Sequence, residues 1–215
     1  RNTLYFEGIM GKSEIWVNGE KAAEHFGGDL PVIVNLDKWL KPGQKNVIVV
    51  KADNSNDSSY PPGKPQESLD FAYFGGIYRD AYLISTGPVY ITDPNEAGTV
   101  AGGGIFFRTE SLDPRTRKGK VGVKVQVANN TDKEQKVRVQ ALMTDPKGVD
   151  PVGETAPLVI PPHSTGEVDI PLVISNVRPW SPDNPNLYTL SVEVWKAAGG
   201  ADAKNPAHLL DNRSM

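Results

Sequence analysis

Four valines at every second position, Val121, Val123, Val125 and Val127 in the run KVGVKVQVAN, constrain this chain more than any other feature of its sequence. Strict alternation matches the two-residue repeat of an extended strand and not the turn of a helix. The run therefore predicts a strand with one buried face and with Gly122, Lys124 and Gln126 on a wet face. The next run, KVRVQALM, repeats the pattern, with Val137, Val139 and Ala141 on one side and Lys136, Arg138 and Gln140 on the other. With the polar stretch Asn129-Asn130-Thr131-Asp132 between them, the two runs read as an antiparallel hairpin. Comparable runs recur as TLYFEGI, SEIWVNG, PVIVNL, NVIVVKAD, DAYLIST, GIFFRTE, TGEVDIPLVI and LYTLSVEVW, each bounded by Gly, Pro, Asn or Asp. The 21 Gly and 18 Pro among 215 residues exceed the usual shares of about 7% and 5%, as many short strands require. No amphipathic helix is expected, and the stretch from Glu20 to His25 is too short for one. The fold class that follows is all-β.

A change of texture near Gly87-Pro88 divides the chain into residues 1–87 and 88–215. Before it, Leu69 to Tyr82 is rich in Tyr, Phe and Gly; after it the strands are longer and Val-rich. About seven strands at that spacing predict an immunoglobulin-like sandwich for the second part, here without a Cys pair, since the chain has 0 Cys. The first part has fewer strands than a self-contained sandwich needs and opens directly inside the apolar strand Leu4-Tyr5-Phe6. The end, Leu209 to Met215, stops in the same abrupt way, so the chain reads as an excerpt from a longer protein. Asn2-Thr3-Leu4-Tyr5-Phe6-Glu7-Gly8 looks like a tag-protease site. The usual site, however, has Gln before its Gly and no Thr after its Asn, so a native strand is expected there.

Charge and composition remove several function classes. Lys plus Arg total 23 against 26 Asp plus Glu, a net charge of -3, so the positive field that drives phosphate-backbone binding is missing and no nucleic-acid partner is expected. No apolar run approaches the 18 or more residues of a membrane-spanning helix, so no membrane partner is expected either. Without cysteine there is no thiol nucleophile and no basis for assigning a compartment. His25, His163 and His208 lie too far apart in sequence for metal-ligand spacing, and no cofactor or metal is expected.

Leu4-Tyr5-Phe6-Glu7-Gly8, Ile15-Trp16-Val17-Asn18-Gly19, His25 with Gly27-Gly28, Leu40-Lys41-Pro42-Gly43, Val50-Lys51-Ala52-Asp53-Asn54 and Pro61-Pro62-Gly63 come in a fixed order. Asp70 and Gly75-Gly76-Ile77-Tyr78-Arg79-Asp80 close the series. In that order the segments resemble the sugar-binding domain of glycoside hydrolase family 2. Trp180-Ser181-Pro182 and Asn184-Pro185-Asn186-Leu187-Tyr188 are similar to the closing motif of that family's immunoglobulin-like domain, and the best overall likeness is to its bacterial β-galactosidases.

The resemblance implies a jelly-roll domain, here truncated, then a β-sandwich, then a catalytic barrel beyond Met215. The family's acid/base and nucleophile glutamates sit in that barrel, about 5 Å apart as a retaining mechanism requires. The Asn95-Glu96 pair, in a turn between Pro94 and Gly98, does not match them, so this polypeptide is expected to hydrolyse no glycoside by itself. The partner implied is a terminal β-galactoside or related sugar in the full-length enzyme, since the same motifs resemble those of β-glucuronidases and β-mannosidases.

Asp70 is the substrate-binding candidate. By motif position it matches the aspartate that reaches from the family's first domain toward the sugar. From the residues alone it could equally cap a turn or pair with Arg79. Trp16 is expected in the core and His25 as a hydrogen-bonded turn residue. Gly75-Gly76 is expected as backbone that needs close approach or positive φ, and Arg79 as half of an ion pair. Arg115, Arg117, Lys118 and Lys120 form a solvated loop. A stand-alone carbohydrate-binding module and a structural β-sandwich are the competing readings. An unpaired sheet edge in the shortened first domain is expected to drive homo-oligomerisation.

Overall fold

The computed structural model describes residues 1–148, 151–197 and 208–215. The all-β expectation holds: among the described residues, fourteen strands, one short 3-10 segment and one helical turn follow each other along the chain. The chain divides into two compact units, Arg1–Thr86 and Gly87–Met215.

The first unit carries two three-stranded antiparallel sheets. One has the order β4-β1-β6, from β1 (Asn2–Phe6), β4 (Val32–Asn35) and β6 (Ala81–Ser85). The other has the order β3-β2-β5, from β2 (Lys12–Val17), β3 (Glu20–Phe26) and β5 (Ile48–Asp53). Leu4, Phe6, Val32 and Val34 of the first sheet and Ile15 and Val17 of the second share one buried cluster with Ile9 and Leu36. Asn18-Gly19 turns β2 into β3 with both residues at positive φ, 52° and 89°, the conformation a two-residue hairpin turn demands. Gly11, between β1 and β2, is held by space as well as conformation: a Cβ there would fall 2.2 Å from the Asp53 carbonyl oxygen.

Two expectations fail in this unit. Trp16 is half-buried and not in the core, because Ile15 and Val17 are fully buried and alternation turns the residue between them to the opposite face. His25 is not in a turn; it lies in β3 directly across from Ser13 of β2. Both His25 Nε2 and Ser13 Oγ are buried without a hydrogen-bond partner among the described residues. Burial pushes the His25 pKa down. The strand Glu20–Phe26 escaped the sequence analysis because its sequence, EKAAEHF, has no apolar alternation.

The second unit is a sandwich. One sheet has the order β11-β10-β13-β14: β10 (Gln135–Thr144), β11 (Val152–Ile160), β13 (Thr189–Lys196) and β14 (Leu209–Ser214). The other has the order β12-β9-β7, from β7 (Val89–Ile91), β9 (Lys118–Asn129) and β12 (Ser164–Ile174), and β8 (Ile105–Asp113) also pairs with β9. The predicted hairpin between the KVGVKVQVAN and KVRVQALM runs does not form: β9 and β10 belong to different sheets. Val121, Val123, Val125 and Val127 instead share a buried core with Val137, Val139, Ala141 and Met143. Two strands side by side in one sheet would leave both apolar rows on one surface, whereas two strands in facing sheets cover each other.

Asn129 makes this crossing at the end of β9. Its side chain is fully buried, its Nδ2 donates to the carbonyls of Lys133, Ile160 and Pro161 at 2.8, 3.1 and 2.9 Å, and its Oδ1 accepts from the Thr131 N–H and hydroxyl at 3.0 and 2.7 Å. The polar face of β9 is also drier than its sequence implies. Gln126 is buried, accepts from the Thr92 hydroxyl at 2.8 Å and donates to Glu167 at 3.0 Å.

Asn129→Ala should lower unfolding stability by about 2–3 kcal/mol, because three carbonyls and two donors lose their partner in the interior. Exposed Asn130→Ala should stay within about 0.5 kcal/mol. Urea unfolding with an unchanged slope checks both, and equal effects of the two would contradict the role given to Asn129.

The depressed His25 pKa carries its own expectation. The unfolded chain binds a proton below about pH 6.5 that the folded chain refuses. Stability should therefore fall as pH drops through that value, down to the folded pKa. His25→Leu should flatten this part of the pH–stability curve, and an unchanged slope in that variant would rule the linkage out.

Candidate sugar-contact loop

Residues 54–80 leave β5 and return as β6 begins, and local polar contacts set their outward limb. Asp53 accepts the Ser55 N–H at 3.0 Å, and Asp57 accepts the Ser59 hydroxyl and N–H at 2.6 and 2.8 Å. These Ser59 bonds hold the Asp57 carboxyl below the usual carboxylate range, and those from Ser55 do the same for Asp53. The Gln66 N–H reaches Asn56 Oδ1 at 2.9 Å, opening the 3-10 turn Gln66–Ser68. Asn54 Nδ2 donates across the loop to the Phe74 carbonyl at 3.3 Å.

The return limb is tied to the sheet. Met10 N–H donates to the Gly76 carbonyl at 2.9 Å and Glu7 N–H to the Asp80 carbonyl at 3.0 Å, while Ile9 and Ile77 form a single bridge. Tyr78 is the wedge that fixes this limb. Its hydroxyl donates to the Gly28 carbonyl at 2.7 Å, and its ring lies where a Cβ on Gly8 would come within 2.9 Å. Phe74 stacks on the same ring at 5.6 Å, and the Arg79 guanidinium lies over it at 5.0 Å. Gly76 has φ +69°, and a Cβ on Gly75 would approach Asn54 Nδ2 at 3.2 Å, so the two glycines serve different needs.

Asp70 lies between the 3-10 turn and the aromatic limb, exposed, with neither a hydrogen bond nor an ion pair among the described residues. The alternative Asp70–Arg79 pair does not form, and among the described residues Arg79 contacts the Tyr78 ring instead of the carboxylate its expected ion pair required. Phe71 and Phe74, on either side of Tyr73, are exposed. Asp70 thus stands as an unpaired carboxylate beside aromatic surface, with Glu67 of the 3-10 turn a second one three residues earlier, a combination able to accept hydrogen bonds from vicinal hydroxyls. Asp70 was singled out in the sequence; the Tyr78 wedge was not, because it depends on Gly8 and Gly28 from distant segments.

The remaining candidates lie elsewhere. Trp16 and His25 belong to the sheet β3-β2-β5. Asn95-Glu96 sits in the exposed helical turn α1 (Pro94–Ala97), capped by Asp93 through the Asn95 and Glu96 N–H groups at 2.9 and 3.2 Å. Of the four basic residues expected in a solvated loop, Arg115 and Arg117 are exposed in the β8–β9 turn, with Arg117 Nε on the Val177 carbonyl at 3.3 Å, whereas Lys118 and Lys120 are exposed within β9 itself, Lys120 on Glu110 at 3.1 Å. The second unit has a cleft of about 580 Å³ whose lining includes Phe107, Met143, Trp180, Leu187 and Tyr188. Two of its polar groups are already engaged, the Tyr188 hydroxyl by the Arg178 N–H and Asn186 Nδ2 by the Pro179 carbonyl, both at 2.9 Å. An apolar cleft of this kind offers a sugar few hydrogen-bond partners.

Comparison with known proteins agrees with this architecture. A putative beta-glucuronidase of Formosa agariphila is 31% identical over 191 residues, covering 89% of this chain and 20% of that protein. A beta-galactosidase of Thermoanaerobacter pseudethanolicus is 24% identical over 194 residues, covering 89% of this chain and 23% of its own length. This chain thus spans only 20% and 23% of these two relatives. The crystal structure of a Bacteroides uniformis beta-glucuronidase superposes with a TM-score of 0.80 at 20% identity, over 100% of this chain and 24% of that one. The family model for the glycosyl hydrolases family 2 sugar binding domain matches residues 1–88, and the glycosyl hydrolases family 2 model matches residues 103–205. With two successive domains of one family along nearly its whole length, the chain belongs to glycosyl hydrolases family 2.

Proposed function

We propose that this chain is the non-catalytic front part of a β-galactosidase-like enzyme that hydrolyses terminal β-glycosides with retention, and that Asp70 contacts the sugar. Asp70 is exposed on an anchored loop with neither a hydrogen bond nor an ion pair among the described residues, and this observation supports the reading best. A loop clamped at Met10–Gly76, Glu7–Asp80 and Tyr78–Gly28 holds a carboxylate in place before the sugar arrives, which lowers the ordering cost of binding. The named relatives are a beta-galactosidase and a putative beta-glucuronidase, so the sugar class proposed is a terminal β-galactoside or a close analogue.

Two expectations follow. The purified chain should release no aryl alcohol from aryl β-galactosides above a buffer blank, since retention needs two carboxylates about 5 Å apart across the scissile bond and the reading places that pair outside this chain. Measurable turnover would refute it. In a protein joining this chain to its catalytic domain, Asp70→Asn should cut kcat/KM by roughly tenfold to several hundredfold. A hydrogen bond to a charged group is worth about 1.5–3 kcal/mol and a decade about 1.4 kcal/mol. With no ion pair at Asp70 to lose, the melting temperature should hold. Full activity with lowered stability would return Asp70 to a structural role.

A further inference from the structure

Trp16 is left over from both the core and the loop. It lies on the outer face of the sheet β3-β2-β5, because Ile15 and Val17 on either side of it take the core side. The indole is half-buried, and among the described residues its ring touches no other ring or cation and its N–H has no hydrogen-bond partner. Trp195 differs, since its N–H already donates to Glu193 at 2.9 Å.

The surroundings of Trp16 are built by an irregularity in the strand pairing. β2 and β3 run in register from Lys12 and Phe26 to Ile15 and Ala23, and a bulge then brings Lys21 opposite Trp16. Ala22 and Ala23 both pack on the core cluster, so the extra residue turns Lys21 to the outer face beside the indole. Re-aiming a side chain is what a bulge does. Glu14, two residues before Trp16 and on the same face, stands between Lys21 of β3 at 3.6 Å and Lys51 of β5 at 3.5 Å.

Charge narrows the choice of guest. Glu24 holds Lys12 at 3.1 Å and Lys21 at 3.2 Å, and Asp53 lies across from Lys12. Three lysines thus meet three carboxylates on this face, their fields cancel, and neither an anion nor a cation is drawn in. A pyranose has the complementary surface. Its flat C–H face can cover an aromatic ring, and the hydroxyls at its rim both donate and accept.

We infer that this face is a second carbohydrate site, separate from the one proposed at Asp70, which takes one pyranose ring of a neutral glycan over Trp16. The indole N–H donates to one hydroxyl, Lys21 donates to another, and Glu14 accepts from a third. Ion pairs already hold Glu14 and Lys21 in place, so little ordering remains when the sugar arrives. The site has no part in cleavage; it holds a neutral polysaccharide on the chain.

The test titrates the whole chain with β-1,4-galactotetraose to about 20 mM, which reads millimolar dissociation constants, and follows the indole N–H signals by NMR. The chain has 4 Trp, and the signal lost in Trp16→Phe identifies Trp16. That signal should shift to saturation, while Trp195, already bonded, and Trp180, at the apolar cleft, stay in place. Read from the backbone amides of β2, Trp16→Ala should weaken binding at least tenfold and Trp16→Phe by about threefold, because a phenyl ring still stacks but has no N–H to donate. Glu14→Gln should weaken it severalfold. Circular dichroism should report an unchanged fold for all three, and Asp70→Asn should leave the titration as it is. A Trp16 signal that does not move overturns the inference. So does a shift of Trp180 in its place, which puts the sugar in the cleft, or binding lost in Asp70→Asn, which puts it at the loop.

Discussion

A row of apolar side chains on every second residue leaves water only when another such row faces it, and both units are built on that requirement. In the second unit the four valines of β9 meet Val137, Val139, Ala141 and Met143 of β10 across the sandwich. In the first, Leu4 and Phe6 meet Ile15 and Val17. Burial of this kind is worth roughly 25 cal/mol per Å² of apolar surface. It decides which strands lie in facing sheets, while polar residues such as Asn129 decide where the chain crosses between them.

The same requirement explains which parts of the fold were legible in the sequence. Alternation marked β9, β10 and β12 because each keeps one strictly apolar face. It could not say whether consecutive strands lie side by side or face to face, since both arrangements bury the same residues; the buried Asn129, bonded to carbonyls on either side of Pro161 and beyond, resolves that. Four strands were missed: β3 and β14 because EKAAEHF and LLDNRS carry polar side chains on both faces, β7 because it has only 3 residues, and β11 because Glu154 interrupts its apolar row. Trp16 shows the limit of residue type as a guide: parity along the strand, not hydrophobicity, put it outside.

At the loop, the motif from Asp70 to Asp80 could be read as a segment of chemical interest, and the exposed carboxylate is there. The role of Arg79 could not be read, because a guanidinium faces a choice between a carboxylate and an aromatic ring that only the folded neighbourhood settles. Tyr78 supplies the ring, Phe74 backs it from stacking distance, and Asp70 is left without a counter-ion among the described residues.

The Tyr78 wedge makes three separate pieces of chain interdependent. Gly8 lacks a side chain so that the ring can approach, Gly28 presents the carbonyl that the hydroxyl needs, and the loop brings the tyrosine itself. The loop is therefore not a cassette that could be moved to another scaffold by cutting at its ends. A graft would have to carry both glycine positions with it, and a recombination breakpoint anywhere between residues 8 and 78 would separate parts that fit only together.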